Sequence, residues 1–256
     1  MGSGFFSTLL TTVPSATTSS PATVLGVDAY PSGWCAVPIR IDVDACRAGP
    51  PAVFPDFAAV LASAAAAAVI CVDMPIGLAD GPRECDRLAR RLLGFPRASS
   101  VFSPPCRDAL RLIDYRAASD ANLQATGKRL TRQAFGIARR IAEVDACLSP
   151  DLQTRVLEAH PELAFRALNG GVPLASSKHR PAGRLERWRL LRTILPDLPP
   201  DPPAGPCPPA DLMDALAVAW TAVCVHRGGA IRVPADPPRD ARGLRMEIWA
   251  PAERLR

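Results

Sequence analysis

Lysine is scarce in this chain of 256 residues: Lys128 and Lys178 are the only two among 30 basic residues, which face 25 acidic ones. The formal net charge of +5 is a mild excess, so it permits an anionic partner such as nucleic acid without requiring one. Aromatic residues make up only 5% of the chain and form no interleaved pattern on which single-stranded bases would stack. These shortages argue against strong binding of nucleic acid irrespective of sequence.

Other absences narrow the class of protein. The eight cysteines include no Cys-x-x-Cys pair, which excludes a zinc knuckle, and scattered thiols predict a reducing, cytoplasmic setting. No Gly-x-x-x-x-Gly-Lys loop occurs, which argues against P-loop chemistry. The longest apolar run, 57–72, is shorter than the roughly 20 residues of a membrane span, and no basic residue precedes Arg40 as in a secretory signal. We therefore expect no membrane segment.

The remaining pattern indicates one domain over residues 23–256, preceded by a loose tail rich in serine and threonine at 1–22. Apolar runs predict strands at 23–28, 34–41, 51–54, 69–73, 154–160 and 245–249, with a hairpin turn between the first two. Helical spacing predicts helices at 57–68, 83–93, 107–123, 131–148, 184–195 and 211–225, with a short helical piece ending at 168. The helices at about 80–150 form an insertion, and eight prolines within 196–209 predict an extended connector.

Four aspartates are notable because they adjoin apolar segments. Asp28 and Asp73 each close an apolar run, whereas Asp211 and Asp214 lie on the leading turn of a helix that is apolar on almost every side. Carboxylates resist dehydration, so these positions require a cation, a charged partner or a turn. Asp28 and Asp73 also suit turns, and Asp211 suits a helix N-cap, but a buried helix has little other use for Asp214.

The order of these segments resembles that of the RNase H-like superfamily, and within it the predicted nucleases known as domain of unknown function 429. The matching motifs run in order from about residue 23 to the end and include Gly26-Val-Asp28, Asp73-Met-Pro-Ile-Gly77, Glu158-Ala-His-Pro-Glu162, Ser177-Lys178 and Gly243-Leu-Arg-Met-Glu247. The resemblance implies an α/β fold: an RNase H-like mixed five-stranded sheet flanked by helices, with helical insertions between strand 4 and strand 5. It also implies a nuclease, because the family label rests on that fold.

By motif position, the resemblance implies that Asp28, Asp73 and Asp214 are catalytic metal ligands and that Asp211 assists them. Hydrolysis of a phosphodiester requires neutralisation of an anionic centre, for which two divalent cations held by carboxylates are suited. Mg²⁺ or Mn²⁺ is therefore the expected cofactor, since hard cations prefer oxygen ligands. Glu158 is a further expected ligand, with pairing to an arginine as the open alternative.

Four basic residues beside turns or a polar loop are the expected substrate contacts: Lys128, Lys178, Arg97 and Arg107. The polar, proline-containing loop 99–105 would form a lip over the substrate, which is nucleic acid or another phosphodiester. His160 is either a general acid or base or a satisfied structural residue. Glu143 and Asp145 are expected to form surface contacts or salt bridges.

Two other functions stay open. A non-catalytic module with an RNase H fold would bind nucleic acid or protein without turnover. A phosphotransferase with an actin-like fold would share the strand order and would also begin with a strand that ends in aspartate and leads into a hairpin. Such enzymes usually duplicate the fold, whereas this chain has room for one copy.

Overall fold

The computed structural model describes residues 11–12, 21–43 and 45–253. Its strands are β1 (Thr11–Thr12), β2 (Ala22–Tyr30), β3 (Gly33–Ile41), β4 (Cys46–Ala48), β5 (Ala52–Phe54), β6 (Val69–Val72), β7 (Val156–Glu158), β8 (Ala230–Val233) and β9 (Ile248–Pro251). Its helices are α1 (Phe57–Ser63), α2 (Glu84–Leu93), α3 (Tyr115–Thr126), α4 (Arg132–Gly136), α5 (Ala138–Cys147), α6 (Pro161–Leu168), α7 (Pro181–Ile194) and α8 (Pro209–His226). Most of the predicted tail at 1–22 lies outside the described residues, although strand β1 belongs to that segment and is described.

A mixed sheet forms the centre of the fold, with strand order β4-β3-β2-β6-β7 and with β5 also paired to β3. Strands β2 and β3 form the predicted antiparallel hairpin, whereas β2, β6 and β7 run parallel. Helices α2 to α5 lie between β6 and β7 along the chain. A smaller sheet, β1-β8-β9, adjoins β7 through a parallel bridge from Ala159 to Trp249. The molecule is therefore a mixed α/β fold.

Alternation along β2 gives the sheet two apolar faces. Val27 packs with Trp34, Phe57 and Ile141 on the face covered by α1 and α5. Val24 packs on the opposite face, against residues of α6, α7 and α8. Because successive strand residues point to opposite faces, Gly26 and Asp28 belong to the α8 side. None of the helices within the described residues is long and apolar enough to cross a membrane.

Several predicted boundaries are wrong for local reasons. The helix predicted at 107–123 begins at Tyr115, because the Asp114 carboxylate caps it by accepting from the Ala117 amide at 2.8 Å. The helix predicted at 131–148 is divided into α4 and α5. Helix α8 begins at Pro209, with proline in its first turn, so Asp211 is not its N-cap. Strands β4 and β8 were not predicted, and β9 begins three residues later than the sequence pattern indicates.

Helix α8 lies directly on β2 at Gly26. A Cβ atom at this position would be 2.1 Å from the Ala215 carbonyl oxygen and 2.2 Å from the Ala219 amide nitrogen. Both are backbone atoms, so neither moves aside without displacing the helix. We expect Gly26→Ala to lower the free energy of unfolding by about 3 kcal/mol or more, as severe overpacking does. Urea denaturation measures this, and Gly205→Ala, where a Cβ meets nothing within 4 Å, is the control. A loss equal to that of the control would contradict the close approach.

Candidate metal and substrate site

Two neighbouring parallel strands bring Asp28 and Asp73 together. Asp28 lies near the carboxyl end of β2, and Asp73 directly follows β6. The register pairs Val27 with Val72, and the Asp73 amide donates to the Val27 carbonyl oxygen at 2.9 Å. Both aspartates therefore occupy the same end of the sheet, as their positions after apolar runs predict.

Helix α8 supplies the third carboxylate. Asp214 lies one residue before Ala215, whose carbonyl oxygen approaches Gly26, so the close packing on β2 holds Asp214 beside the strand that carries Asp28. Cys207, in the connector before α8, contacts Cys35 on β3 through its sulfur atom, and this contact ties the start of the helix to the sheet. One carboxylate oxygen from each of Asp28, Asp73 and Asp214 lies within 4.8 Å of the others.

This group of three carboxylates is largely removed from solvent. Asp28 is 6% exposed and Asp214 is 2% exposed, whereas Asp73 is half-buried. Lys178, in the loop before α7, forms an ion pair with Asp214 Oδ2. Three negative charges and one positive charge leave a net charge of about −2 when all four groups are ionised, and burial makes that charge costly.

The pKa values of the carboxylates express this cost. Burial raises the pKa of Asp28 well above its usual value, and the charges of Asp73 and Asp214 raise it further. Burial also raises the pKa of Asp73 to about 6, although the neighbouring His160 opposes the increase. Burial alone would lower the pKa of Lys178, but Asp214 and Asp28 outweigh it and raise that pKa above its usual range. The site therefore favours species that reduce its negative charge: protons on the carboxylates, the charged form of Lys178, or a bound cation.

A cavity of about 380 Å³ opens onto the three carboxylates. Glu162 also lines it and is 8% exposed. One Glu162 oxygen pairs with Arg187, but Oε2 is buried and has no hydrogen-bond partner among the described residues. The sequence marks Glu162 only as part of the Glu158-Ala-His-Pro-Glu162 motif, so its unpartnered oxygen emerges from the three-dimensional arrangement.

Glu158, an expected metal ligand, lines the same cavity but does not join the three carboxylates. Its register partner is Val72 rather than Asp73, so alternation directs its side chain to the face that Val72 shares. There its oxygens accept from Arg83 at 2.6 and 3.0 Å, and Oε2 also accepts from the Ile76 amide at 2.7 Å. Burial raises the pKa of Glu158 to about 7, against the opposing effect of Arg83. The arginine pairing that the sequence left open is the arrangement observed.

The four expected substrate contacts occupy different places. Lys178 lies at the carboxylates, whereas Arg97 lines the cavity while donating to the Leu174 and Ala175 carbonyl oxygens at 2.7 and 2.6 Å. Lys128 lies outside this cavity, in the loop between α3 and α4. Arg107 also lies outside it and pairs with Asp145 at 3.0 Å and with Asp240 at 2.6 Å. These two ion pairs make Arg107 a link between segments, and its expected contact with the substrate stays a prediction.

Asp211 and His160 lie beside the group without belonging to it. Asp211 is half-buried, and burial raises its pKa while Lys178 opposes the increase. His160 lines the cavity and caps α6, since its Nδ1 accepts from the Glu162 amide at 3.2 Å. The structural role that the sequence allowed for His160 is therefore present. The expected salt bridges of Glu143 and Asp145 are also present, with Arg140 and Arg107.

Comparisons with known proteins give a family without an assigned activity. No curated protein and no solved structure matched the chain. A family model described as "Protein of unknown function (DUF429)" matches residues 26–239, which include all three clustered aspartates and Lys178. Because that match covers well over half of the chain, this protein belongs to the DUF429 family.

Proposed function

We propose that this protein is a metal-dependent phosphodiester hydrolase, a nuclease, with an RNase H-like fold. The observation that carries the proposal is the convergence of Asp28, Asp73 and Asp214, each from a different element, to within 4.8 Å. Buried carboxylates of like charge raise the energy of the folded protein, so such an arrangement is maintained where a cation or a reaction makes use of it.

The order of the strands supports the RNase H-like part of the proposal. In that fold a central first strand pairs antiparallel with the second and parallel with the fourth, and it carries the first carboxylate. Here β2 is central, pairs antiparallel with β3 and parallel with β6, and carries Asp28. The helices between β6 and β7 correspond to the expected insertion between strand 4 and strand 5.

The donor set fits a hard divalent cation. All three clustered groups are carboxylates, and Glu162 Oε2 adds a buried oxygen at the same cavity that has no partner within the described parts of the chain. Mg²⁺ or Mn²⁺ would be held by Asp28, Asp73 and Asp214, where it would polarise a phosphate oxygen and activate a water molecule. Lys178 offsets part of the negative charge, so we expect one divalent cation per chain when no substrate is bound.

The remaining groups would bind and orient the substrate. Lys178 stands beside the carboxylates and places positive charge where an anionic phosphate would otherwise be repelled. Ser99 lines the same cavity and offers a hydroxyl donor to phosphate oxygens, whereas the Ser100 hydroxyl donates to the Arg97 carbonyl oxygen at 2.7 Å. His160 accepts from the Glu162 amide through Nδ1, and its Nε2 lies 3.3 Å from the Ser100 carbonyl oxygen, so these two contacts fix the imidazole at the wall of the cavity. These groups give the site a position for a phosphodiester next to the cation.

The proposal is tested by cleavage of labelled single-stranded, duplex, hybrid and branched nucleic acids with Mn²⁺ and with EDTA. We expect cleavage of at least one substrate that depends on Mn²⁺, because the carboxylates are unable to neutralise a phosphate without the cation. The substrate that is cleaved identifies the class of nucleic acid. Failure to cleave any of them, with Mn²⁺ bound to the protein, would reject the nuclease proposal.

A further inference from the structure

A second cavity, of about 340 Å³, adjoins the acidic one. The two share three lining residues, namely Ser99, Phe102 and Gln133. The second cavity is also lined by Arg90, Lys128 and Arg129, and none of the acidic residues that the structure describes lines it. An acidic cavity that suits a cation therefore lies next to a basic one that suits an anion.

The basic residues of the second cavity differ in how far they are engaged. Lys128 is exposed, and its ammonium group has no ion-pair partner among residues 21–43 and 45–253. Arg129 pairs with Asp120 at 2.5 Å, but both side chains are about half exposed, so water and salt weaken the pair. Arg90 instead donates to the Val101 carbonyl oxygen and Ser103 Oγ. Lys128 and Arg129 are thus the charges available to an incoming anion.

Phe102 lines both cavities and is half-buried. An aromatic ring with a partly exposed surface between a cation site and an anion site is suited to contact a nucleobase, because every base has a π face that stacks on such a ring. Aromatic residues are few in the chain, and a single phenylalanine forms no interleaved pattern, so the sequence alone does not single out Phe102.

We propose that the basic cavity binds the phosphate adjacent to the scissile one in a single-stranded polynucleotide, whose base at that position contacts Phe102. The assignment of the scissile phosphate to the acidic cavity rests on the proposed function, whereas the binding of a single strand to the basic cavity does not. Each cavity has a few hundred cubic ångströms, the size that suits a small ligand or one nucleotide. A rigid duplex does not enter spaces of this size, whereas a single strand passes from one to the other.

The test measures binding without cleavage. A fluorescent single-stranded oligonucleotide of roughly ten nucleotides, within the usual range of single-strand sites, is titrated with the full chain at several salt concentrations. Ca²⁺, a hard cation that the carboxylates would also hold, is present, and the length of the strand is checked after each titration. A dinucleotide and a duplex of equal length are titrated in parallel. We expect the longer single strand to bind more tightly than either, because only it reaches both cavities.

Substitutions then locate the contacts. Each phosphate that a protein neutralises on a single strand contributes about 0.7 to the slope of log K against log salt. Because Lys128 and Arg129 contact the same phosphate, Lys128→Ala with Arg129→Ala should reduce that slope by about 0.7. Phe102→Leu should weaken binding about tenfold, the effect of one stacked base, and should have no effect on an abasic strand. Arg189→Ala is the matched control, because Arg189 is exposed on α7 and lines neither cavity.

Each outcome decides between the alternatives. An unchanged salt slope in the Lys128 and Arg129 variant, a loss equal to that of the Arg189 control, or duplex binding as tight as single-strand binding would overturn the basic subsite. Oligonucleotide binding as expected, without cleavage in Mn²⁺, would support the subsite and reject the nuclease proposal. Cleavage of a small phosphodiester by a protein that binds no oligonucleotide would support a phosphodiester hydrolase but reject both the nuclease and the subsite.

Discussion

Asp73→Asn is expected to lower metal-dependent phosphodiester cleavage by more than about 100-fold, since loss of a group that only supports a metal ligand already costs 10- to 100-fold. Asparagine keeps the size of the side chain and one oxygen but removes the negative charge. The oxygens of Asp28, Asp73 and Asp214 lie within 4.8 Å, so the loss of one charge weakens the attraction for a cation at their centre. Cleavage assays and calorimetric titration with Mn²⁺ measure the two effects, and we expect about one site per parent chain.

A matched control separates this effect from a general loss of charge. Asp151→Asn makes the same change at an exposed aspartate that lies outside the cavity, and it should leave cleavage and Mn²⁺ affinity unchanged. Asp28→Asn should behave like Asp73→Asn, because both positions belong to the same group. Full cleavage by both the Asp28 and the Asp73 variants would exclude these carboxylates from the reaction.

The positions of Asp28, Asp73 and Asp214 are predictable because each depends on a strong local pattern. An apolar strand that ends in aspartate places the carboxylate at the end of a sheet, and parallel pairing of β2 with β6 brings two such ends together. An acidic residue on a helix that is otherwise apolar must meet a polar neighbour. The placement of these three residues follows from these patterns once the strand order is supplied by the resemblance.

The contacts of Lys178, Glu158 and Arg107 are not predictable in this way. Glu158 is one residue out of register with Asp73, and that single step assigns it to Arg83 instead of the clustered carboxylates. Arg107 is paired by Asp145 and Asp240, which are distant in the chain. Which charged side chains form pairs depends on their distances in the folded protein, whereas the sequence pattern indicates only which face of a helix or strand they occupy.

Short elements are also determined by tertiary pairing. Strands β4 and β8 have three and four residues, too few for an alternating pattern to be recognised, and they exist because β3 and β9 offer them hydrogen-bonding edges. Helix α8 begins at Pro209, before the predicted start at Asp211, because proline is tolerated in the first turn of a helix. The sequence pattern assigns this proline to the connector instead. Composition therefore locates the connector but not its last residue.

The metal-free protein is expected to lose stability as the pH rises from 4 to 7, and Mn²⁺ should remove the part of that loss that Asp73 causes. Burial raises the pKa of Asp73 from 3.8 to about 6 in the folded protein. Between these values the folded state binds more protons than the unfolded state, so the free energy of unfolding falls with rising pH. The pKa difference corresponds to about 3 kcal/mol, which partial exposure of Asp73 reduces to about 2 kcal/mol.

Comparison of the two metal conditions isolates this contribution. Glu158, whose pKa burial raises to about 7, adds a slope of the same sign, but it lies apart from the three carboxylates and pairs with Arg83. Mn²⁺ should therefore leave the Glu158 slope and remove the Asp73 slope, because a cation stabilises the ionised carboxylate and binds more tightly above pH 6. Urea denaturation at several pH values, with Mn²⁺ or EDTA, measures the difference.

Asp73→Asn should show a shallower slope of the free energy of unfolding against pH in EDTA, and its stability should respond less to Mn²⁺. A response to Mn²⁺ that is equal at pH 5 and pH 8, or equal in the Asp73 variant, would show that the cation binds somewhere other than at these carboxylates.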